Sequence, residues 1–305
     1  MVIKKIGILG LGAIGGLMAT HFYDYSKECI YVIADEKRVE RAQREGMIVN
    51  GKMYDFQYIS PSSPKEMDLI IVAVKYHHLQ EAITLMKDFI HKDTVVMSLM
   101  NGINTEAEIG SVYGIERMLY SFIVEVSAVK QGSVIQASNG KIVFNSNPAN
   151  NKNVQLVKEI FRKSGIVFEI TEDIIREIWW KFMINVGVNQ TSAVLDAPYG
   201  LCQQNTYIRK IMDAAMKEVI LISQYEGIHL SNKDLQRWYP VLEGLNPQGM
   251  TSMLQDMRAN RKTEVEMFSG VVCQLGEKHG ISTPVNQMLY QLIKAKETMN
   301  ITGAS

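Results

Sequence analysis

Short apolar runs alternate with helical or charged stretches through the first half of the chain. Lys5–Leu9 is apolar and ends in glycine, and Ile14–Tyr25 behind it has helical spacing. Cys29–Ile33 is a second β-rich run, followed by the charged, helix-prone Glu36–Glu45 and Gly46. Asp68–Lys75 is almost continuously apolar, the pattern of a strand buried on both faces of a parallel sheet. Leu79–Ile90 then reads as helix and Thr94–Met100 as another buried strand. Met118–Ile135 and Lys141–Asn145 read as strands joined through Ser138-Asn139-Gly140, where Asn-Gly signals a hairpin. Strands alternating with helices predict an α/β fold with a doubly wound, Rossmann-type sheet.

From Thr171 onward the period changes to that of helices. Thr171 is placed to cap a helix running through Trp179 and Trp180 to about Val194. Further helices are predicted at Tyr207–Tyr225, Pro247–Asn260, Glu264–His279 and Pro284–Met299. Asn246-Pro247 and Thr283-Pro284 each set a cap residue before a proline at the first helical position. Ser231-Asn-Lys-Asp234 resembles a capping box with Asp in place of Glu. The predicted boundary falls near residues 168–171. It separates a dinucleotide-type domain, 1–170, from an all-helical domain, 171–305, expected to carry substrate binding and catalysis.

Composition narrows the classes of function. The 305 residues carry 32 Lys+Arg against 32 Asp+Glu, so no global charge draws the chain to nucleic acid or an anionic membrane. No apolar run approaches the roughly 20 residues that span a bilayer, and the N-terminal stretch breaks at Gly10 and Gly12, unlike a signal peptide. Cys29, Cys202 and Cys273 lie far apart and form no CxxC, as expected of free thiols in a reducing cytoplasm.

The strongest local signal is Gly10-Leu11-Gly12-Ala13-Ile14-Gly15, a GxGxxG that follows a predicted strand and opens a predicted helix. Glycine permits the tight turn, the approach of backbone to a pyrophosphate and the packing of helix on strand. The helix N-terminus offers its N–H groups to the phosphates. Asp35, 20 positions after Gly15, stands at the end of the second predicted strand, where an acid binds ribose hydroxyls and repels the extra phosphate of NADP. Lys37 and Arg38 follow it, so NAD(H) is the favoured cofactor and NADP(H) stays open. Lys75 and Asn101 end the next two strands, at the edge where open α/β sheets bind ligands. Lys181, Asn185 and Asn189 are spaced i, i+4, i+8 and share one helix face, drifting about 40° per step. Their neighbours are apolar, and polar groups there are costly to bury without partners. Ser252 and Glu264 fall on later predicted helices, and spacing alone does not separate Glu264 from Glu266. His77-His78 reads as a loop pair, with no second cluster of metal ligands.

These motifs, taken together, resemble the ketopantoate reductase (2-dehydropantoate 2-reductase) family over essentially the whole chain. The GxGxxG, Lys75, Met-Asn101-Gly, Trp-x-Lys181-x-x-x-Asn185-x-x-x-Asn189, Ser252-Met-Leu-Gln-Asp…Arg-x-Thr-Glu264 and the late Thr-Pro-Val-Asn stand in the family order. The resemblance implies hydride transfer from the cofactor to the C2 carbonyl of a 2-keto acid, giving the D-2-hydroxy acid. It casts Lys181 as general acid, Glu264 as the acid that holds it, Asn185 and Asn189 as substrate-binding, and Ser252 as a neighbour of the substrate carboxylate. Lys75 and Asn101 become crevice residues between cofactor and substrate. Asp35 departs from the arginine common in the family, and so resembles the NAD-dependent branch that includes D-mandelate dehydrogenase. Ser269, where the family usually has Asn, and Glu125 depart as well. The expected substrate is therefore a C3-branched or aromatic 2-keto acid, with ketopantoate itself, on the route to pantothenate, as the alternative. The resemblance leaves a homodimer open.

Overall fold

The computed structural model describes residues 2–148 and 151–302. The chain divides into two compact units, Met1–Ile174 and Ile175–Ser305. No described helix is long and apolar enough to cross a membrane.

The first unit runs β1 (Ile6–Leu9), α1 (Ala13–Tyr25), β2 (Ile30–Ile33), α2 (Glu36–Glu45), β3 (Met47–Val49), β4 (Lys52–Tyr54), β5 (Gln57–Ile59), β6 (Met67–Val72), α3 (Leu79–Met86), β7 (Ile90–Ser98), α4 (Thr105–Tyr113) and β8 (Met118–Val124). It continues through β9 (Ala128–Gln131), β10 (Val134–Ala137), β11 (Lys141–Asn145), α5 (Lys152–Lys163) and β12 (Val167–Ile170). Eight strands form the main sheet in the order β12-β11-β8-β7-β6-β1-β2-β5. Its pairs are parallel from β5 to β8, and β11 joins β8 antiparallel. β1 and β2 are buried along their whole length, as helices over both faces require.

Four strands stand apart in a small sheet ordered β4-β3-β10-β9. This corrects the expected Asn139-Gly140 hairpin: the strands it links belong to different sheets. The two-residue hairpin is at Gly132-Ser133, where Gly132 takes φ +58° and β9 pairs antiparallel with β10. The predicted strand Met118–Ile135 is thus three strands. The helix expected to reach Ile90 ends at Met86, and β7 begins at Ile90. Its first half is partly exposed and polar, which hid it from a search for apolar runs. α4, α5 and β12, and the short β3, β4 and β5, were not foreseen.

The regular structure among the described residues of the second unit is all helical: α6 (Ile174–Leu195), α7 (Tyr199–Gln204), α8 (Thr206–Tyr225), α9 (Asn232–Gly244), α10 (Ser252–Arg258), α11 (Val271–His279) and α12 (Pro284–Thr302). Thr171 is not the cap of α6, which starts three residues later; the Thr171 carbonyl instead accepts from Asn145 Nδ2 at 2.7 Å. Pro247 opens a turn rather than a helix. α10 begins only at Ser252, where the Thr251 hydroxyl accepts from the Leu254 N–H at 3.1 Å. The Ser231–Asp234 capping box forms, with the Asp234 carboxylate accepting from the Ser231 N–H at 2.8 Å. Pro284 opens α12 as expected.

Candidate active site

In the first unit, strand register decides what lies near what. Leu9 pairs with Ile33 on one side and Val72 on the other, and Val72 pairs with Ser98. Four parallel strands therefore end at one level. The segments that follow them, bearing Gly10, Asp35, Lys75 and Asn101, leave the same carboxyl edge. The chain winds from β1 outward to β5, then crosses to β6 and winds the other way. The reversal between β1 and β6 is the place where open sheets of this kind bind ligands.

The glycines of the loop after β1 divide three tasks. Gly10 takes φ +101°, and a Cβ there would lie 2.7 Å from the Ala73 carbonyl oxygen. A Cβ on Gly15 would lie 1.9 Å from the Gly10 carbonyl oxygen, so only glycine lets α1 pack this closely on the turn. Gly12 is different: a Cβ would come no nearer than 3.7 Å to its nearest neighbour, the Ala73 carbonyl oxygen, so packing does not demand glycine there. Gly12 is also the N-cap of α1, with no side-chain cap and no acidic residue in the first turn. The free N–H groups and the positive end of the helix are thus left open toward an anion. The residues Gly10, Leu11, Gly12, Ala13, Ile14 and Gly15 fit a dinucleotide pyrophosphate on these grounds. Gly15→Ala is expected to cost about 1–3 kcal/mol of stability from overpacking, read as a lowered urea midpoint.

Asp35 lies two residues past β2 rather than on it. Its carboxylate caps α2, accepting from the Arg38 N–H at 2.9 Å, and pairs with Arg38 Nε at 3.3 Å. Arg38 in turn reaches Glu81 at 3.2 Å. Lys75 likewise lies three residues beyond the end of β6, just ahead of a 3-10 turn over Tyr76–His78. Asn101 follows β7 in a turn held by hydroxyls. The Ser98 hydroxyl donates to Thr105 Oγ1 at 3.1 Å and accepts from the Met100 N–H at 3.3 Å, while Ser121 Oγ donates to the Ser98 carbonyl at 2.7 Å. No group of three or more His, Cys, Asp or Glu suited to a metal ion occurs among the described residues.

In the second unit α6 carries Lys181, Asn185 and Asn189. Lys181 and Asn185 are half-buried and Asn189 is buried, amid buried Trp179, Trp180, Phe182, Met183 and Val186. Both ends of the helix are fastened. Near its start, Arg176 pairs with the buried Asp234 at 2.7 Å and Trp180 Nε1 donates to the Asp234 carbonyl at 2.9 Å. Near its end, Lys296 Nζ donates to the Ala193 and Val194 carbonyls, each at 2.9 Å, satisfying groups that a helix terminus leaves open.

Two further segments are tied to α6 through polar side chains. The Thr251 hydroxyl donates to Ser192 Oγ at 3.2 Å, which seats the start of α10 and hence Ser252, an exposed residue, beside α6. Gln190, fully buried, accepts from the Ser269 N–H at 3.1 Å. Ser269 belongs to a single π-helical turn, Glu266–Gly270, just ahead of α11. Glu264 was expected on a helix; it lies instead in the irregular segment leading into that turn. Its predecessor Thr263 is anchored by Glu297, whose carboxylate accepts from both the Thr263 N–H at 2.8 Å and its hydroxyl at 2.7 Å. A bond of 3.3 Å from the Val265 N–H to Thr263 Oγ1 starts the turn after Glu264.

The two acids that spacing could not separate stand in different surroundings. Glu266 is spent on α12: its carboxylate accepts from Tyr290 Oη at 2.7 Å and pairs with Lys294 at 3.1 Å. Those donors outweigh the effect of burial and hold its pKa below the usual glutamate value. Glu264 is only 6% exposed.

The two departures at Ser269 and Glu125 have local explanations. Ser269 is fully buried, and its hydroxyl donates to Asn286 Oδ1 at 3.0 Å. Glu125 is exposed, takes φ +57° and pairs with Lys141 at 3.3 Å. Gln190 and Thr251 were overlooked in the sequence. The signal for Gln190 was present, since it is a third amide in the same apolar helix.

Two family models cover most of the chain: ketopantoate reductase PanE/ApbA matches residues 6–149, and ketopantoate reductase PanE/ApbA C terminal matches residues 173–297. The chain is 29% identical over 301 residues to the 2-dehydropantoate 2-reductase of Pyrococcus horikoshii, covering 97% of this chain and 98% of the relative. Its fold is similar to that of D-mandelate dehydrogenase in a ternary complex with NADH and anilino(oxo)acetate, with a TM-score of 0.86 at 22% identity, covering 97% of this chain and 99% of the other. It is similar too to a dimeric ketopantoate reductase of Staphylococcus aureus, with a TM-score of 0.81 at 21% identity and coverage of 97% and 99%. With a Rossmann-type sheet, its glycine loop, and a helical unit bearing the lysine and asparagines, the chain belongs to the ketopantoate reductase family.

Proposed function

We propose that this protein is a nicotinamide-dependent oxidoreductase that reduces ketopantoate to D-pantoate. The observation that carries the reading is the face of Lys181, Asn185 and Asn189 on α6, together with a buried Glu264 in the same unit, in a chain whose curated relatives are named 2-dehydropantoate 2-reductases along nearly their whole length. The cofactor, when bound, supplies the hydride for the substrate C2. Lys181 donates a proton to the oxygen that gains negative charge there, and a cation placed in advance stabilises that charge as it forms. Glu264 holds the lysine in position, because a flexible ammonium loses effectiveness when it wanders. Asn185 and Asn189 offer amides to the substrate hydroxyl and carboxylate, with Ser252 beside the carboxylate. Lys75 and Asn101, in the first unit, are assigned to binding the nicotinamide cofactor.

Ketopantoate is preferred over the branched and aromatic 2-keto acids expected first. The relatives favour it, and the departures at Ser269 and Glu125 serve local structure. The second reading, a D-2-hydroxyacid dehydrogenase, keeps one specific support in Asp35. A panel of ketopantoate, 2-ketoisovalerate, 2-ketoisocaproate and benzoylformate, each with NADH and NADPH, decides between them. The highest kcat/KM is expected with ketopantoate, and a clear preference for benzoylformate or 2-ketoisocaproate would hand the case to the second reading. Gel filtration with light scattering tests for a homodimer.

NADH is the proposed cofactor, with NADPH used less well. Asp35 sets a negative charge beside the adenosine ribose, but Arg38 offsets part of it, so the preference is expected to be on the order of tenfold. Asp35→Asn keeps a good helix cap while removing the charge. It is expected to raise kcat/KM for NADPH relative to NADH; an unchanged ratio would show that cofactor choice is made elsewhere.

A further inference from the structure

The β9–β10 hairpin lies between two strands of the main sheet in sequence, yet it belongs to the small sheet and packs on α1. Ile135 on β10 is fully buried, and a Cβ on Gly16 of α1 would lie 2.3 Å from its Cδ1. The hairpin is pinned from its other side as well. Asn50 donates to the Ala137 carbonyl and accepts from the Ala137 N–H, both at 2.9 Å, and β10 pairs with β3. From β9, Lys130 reaches the glycine loop, and its Nζ donates to the Leu11 carbonyl at 2.5 Å.

That contact has a definite effect on the loop. A peptide group is planar and trans, so its C=O and N–H point in opposite directions. Holding the Leu11 carbonyl toward the hairpin turns the Gly12 N–H away from it. Gly12 is the N-cap of α1, the position whose missing side chain the protein's own packing does not require. Lys130 is half-buried with a neutral carbonyl as partner, and an ammonium partly withdrawn from water is costly to place so. On α2, Arg41 repels it and Glu45 attracts it; burial and Arg41 together lower its pKa from the ordinary lysine value.

We infer that Lys130 is a positioning residue of the dinucleotide site: the β9–β10 hairpin clasps the glycine loop, and the Lys130 ammonium fixes the Leu11 peptide so that the Gly12 N–H and the open first turn of α1 are set for the cofactor phosphates. The inference rests on the dinucleotide reading given under Proposed function. The same ammonium places a positive charge beside the loop, so its contribution is electrostatic as well as geometric.

The test is equilibrium titration of NADH and NADPH, followed by nucleotide fluorescence, on the full chain and on Lys130→Met and Lys130→Arg. Thermal melts verify that each variant is folded. Lys130→Met is expected to weaken both dinucleotides about tenfold, the effect of losing one charged hydrogen bond. Lys130→Arg is expected to restore most of that loss, and in steady-state assays the deficit falls on the dinucleotide KM more than on kcat. Should Lys130→Met fail to fold, Lys130→Gln, a shorter uncharged donor, is read in the same way. A folded Lys130→Met that binds both dinucleotides as tightly as the parent overturns the inference while leaving the dinucleotide reading in place. A parent protein that binds neither dinucleotide overturns both.

Discussion

Replacing Lys181 by alanine is expected to lower kcat by about 10²–10⁴-fold while NADH still binds. The size follows from the two roles combined in one group, proton donor and fixed positive charge at the developing oxyanion. The dinucleotide loop lies in the other unit, Met1–Ile174, so the change leaves it intact. A half-buried lysine with no catalytic role would behave otherwise, costing a few tenths of a kcal/mol in stability and nothing in turnover. Lys181→Arg is expected not to rescue, because a guanidinium keeps its proton near neutral pH and differs in shape. Steady-state kinetics beside NADH fluorescence titration checks both variants. An alanine variant that binds NADH and turns over within about threefold of the parent would place the chemistry on another residue.

Glu264→Gln is expected to lower kcat by about 10²-fold, the effect of a displaced catalytic group, with little change in NADH affinity. Glu266→Gln serves as the control. Glu266 is bound to Tyr290 and Lys294, so its loss is expected to lower the melting temperature by a few degrees and leave kcat within about threefold. Comparing kcat and melting temperature for the two variants separates an acid that serves the site from one that braces α12. Reversed results would exchange their roles.

The parts of this molecule legible in the sequence are those dominated by one strong local rule. β1, β2 and β6 are buried on both faces, so their apolar runs stand out. The glycine loop was legible because sterics leave no substitute for Gly10 and Gly15. What stayed hidden depends on distant partners. Asn139-Gly140 carries a hairpin signal, but tertiary pairing sends the two flanking strands to different sheets. Pro247 lies in a turn because the Tyr199 and Gly200 N–H groups bond the Gly249 and Pro247 carbonyls at 2.9 and 2.8 Å, contacts from some fifty residues away. In the site, the i, i+4, i+8 pattern placed Lys181, Asn185 and Asn189 together on α6. Between Glu264 and Glu266 spacing made no choice; the family order pointed to Glu264, and in the structure Tyr290 and Lys294 bind Glu266. Lys130 carried no signal at all, being one lysine in a polar hairpin whose partner is 119 residues earlier.

The order of strands in the main sheet bears on how the protein acquires its structure. β1 is made first yet sits near the middle, and its register with β6 joins residues 63 apart, Ile6 with Leu69. Closing so long a loop costs entropy before any contact repays it, whereas the helices of the second unit form largely from near neighbours. The first unit therefore sets the pace of folding. Until β6 arrives, β1 and β2 present apolar edges that other chains could join, which makes the early nascent chain the stage most exposed to aggregation.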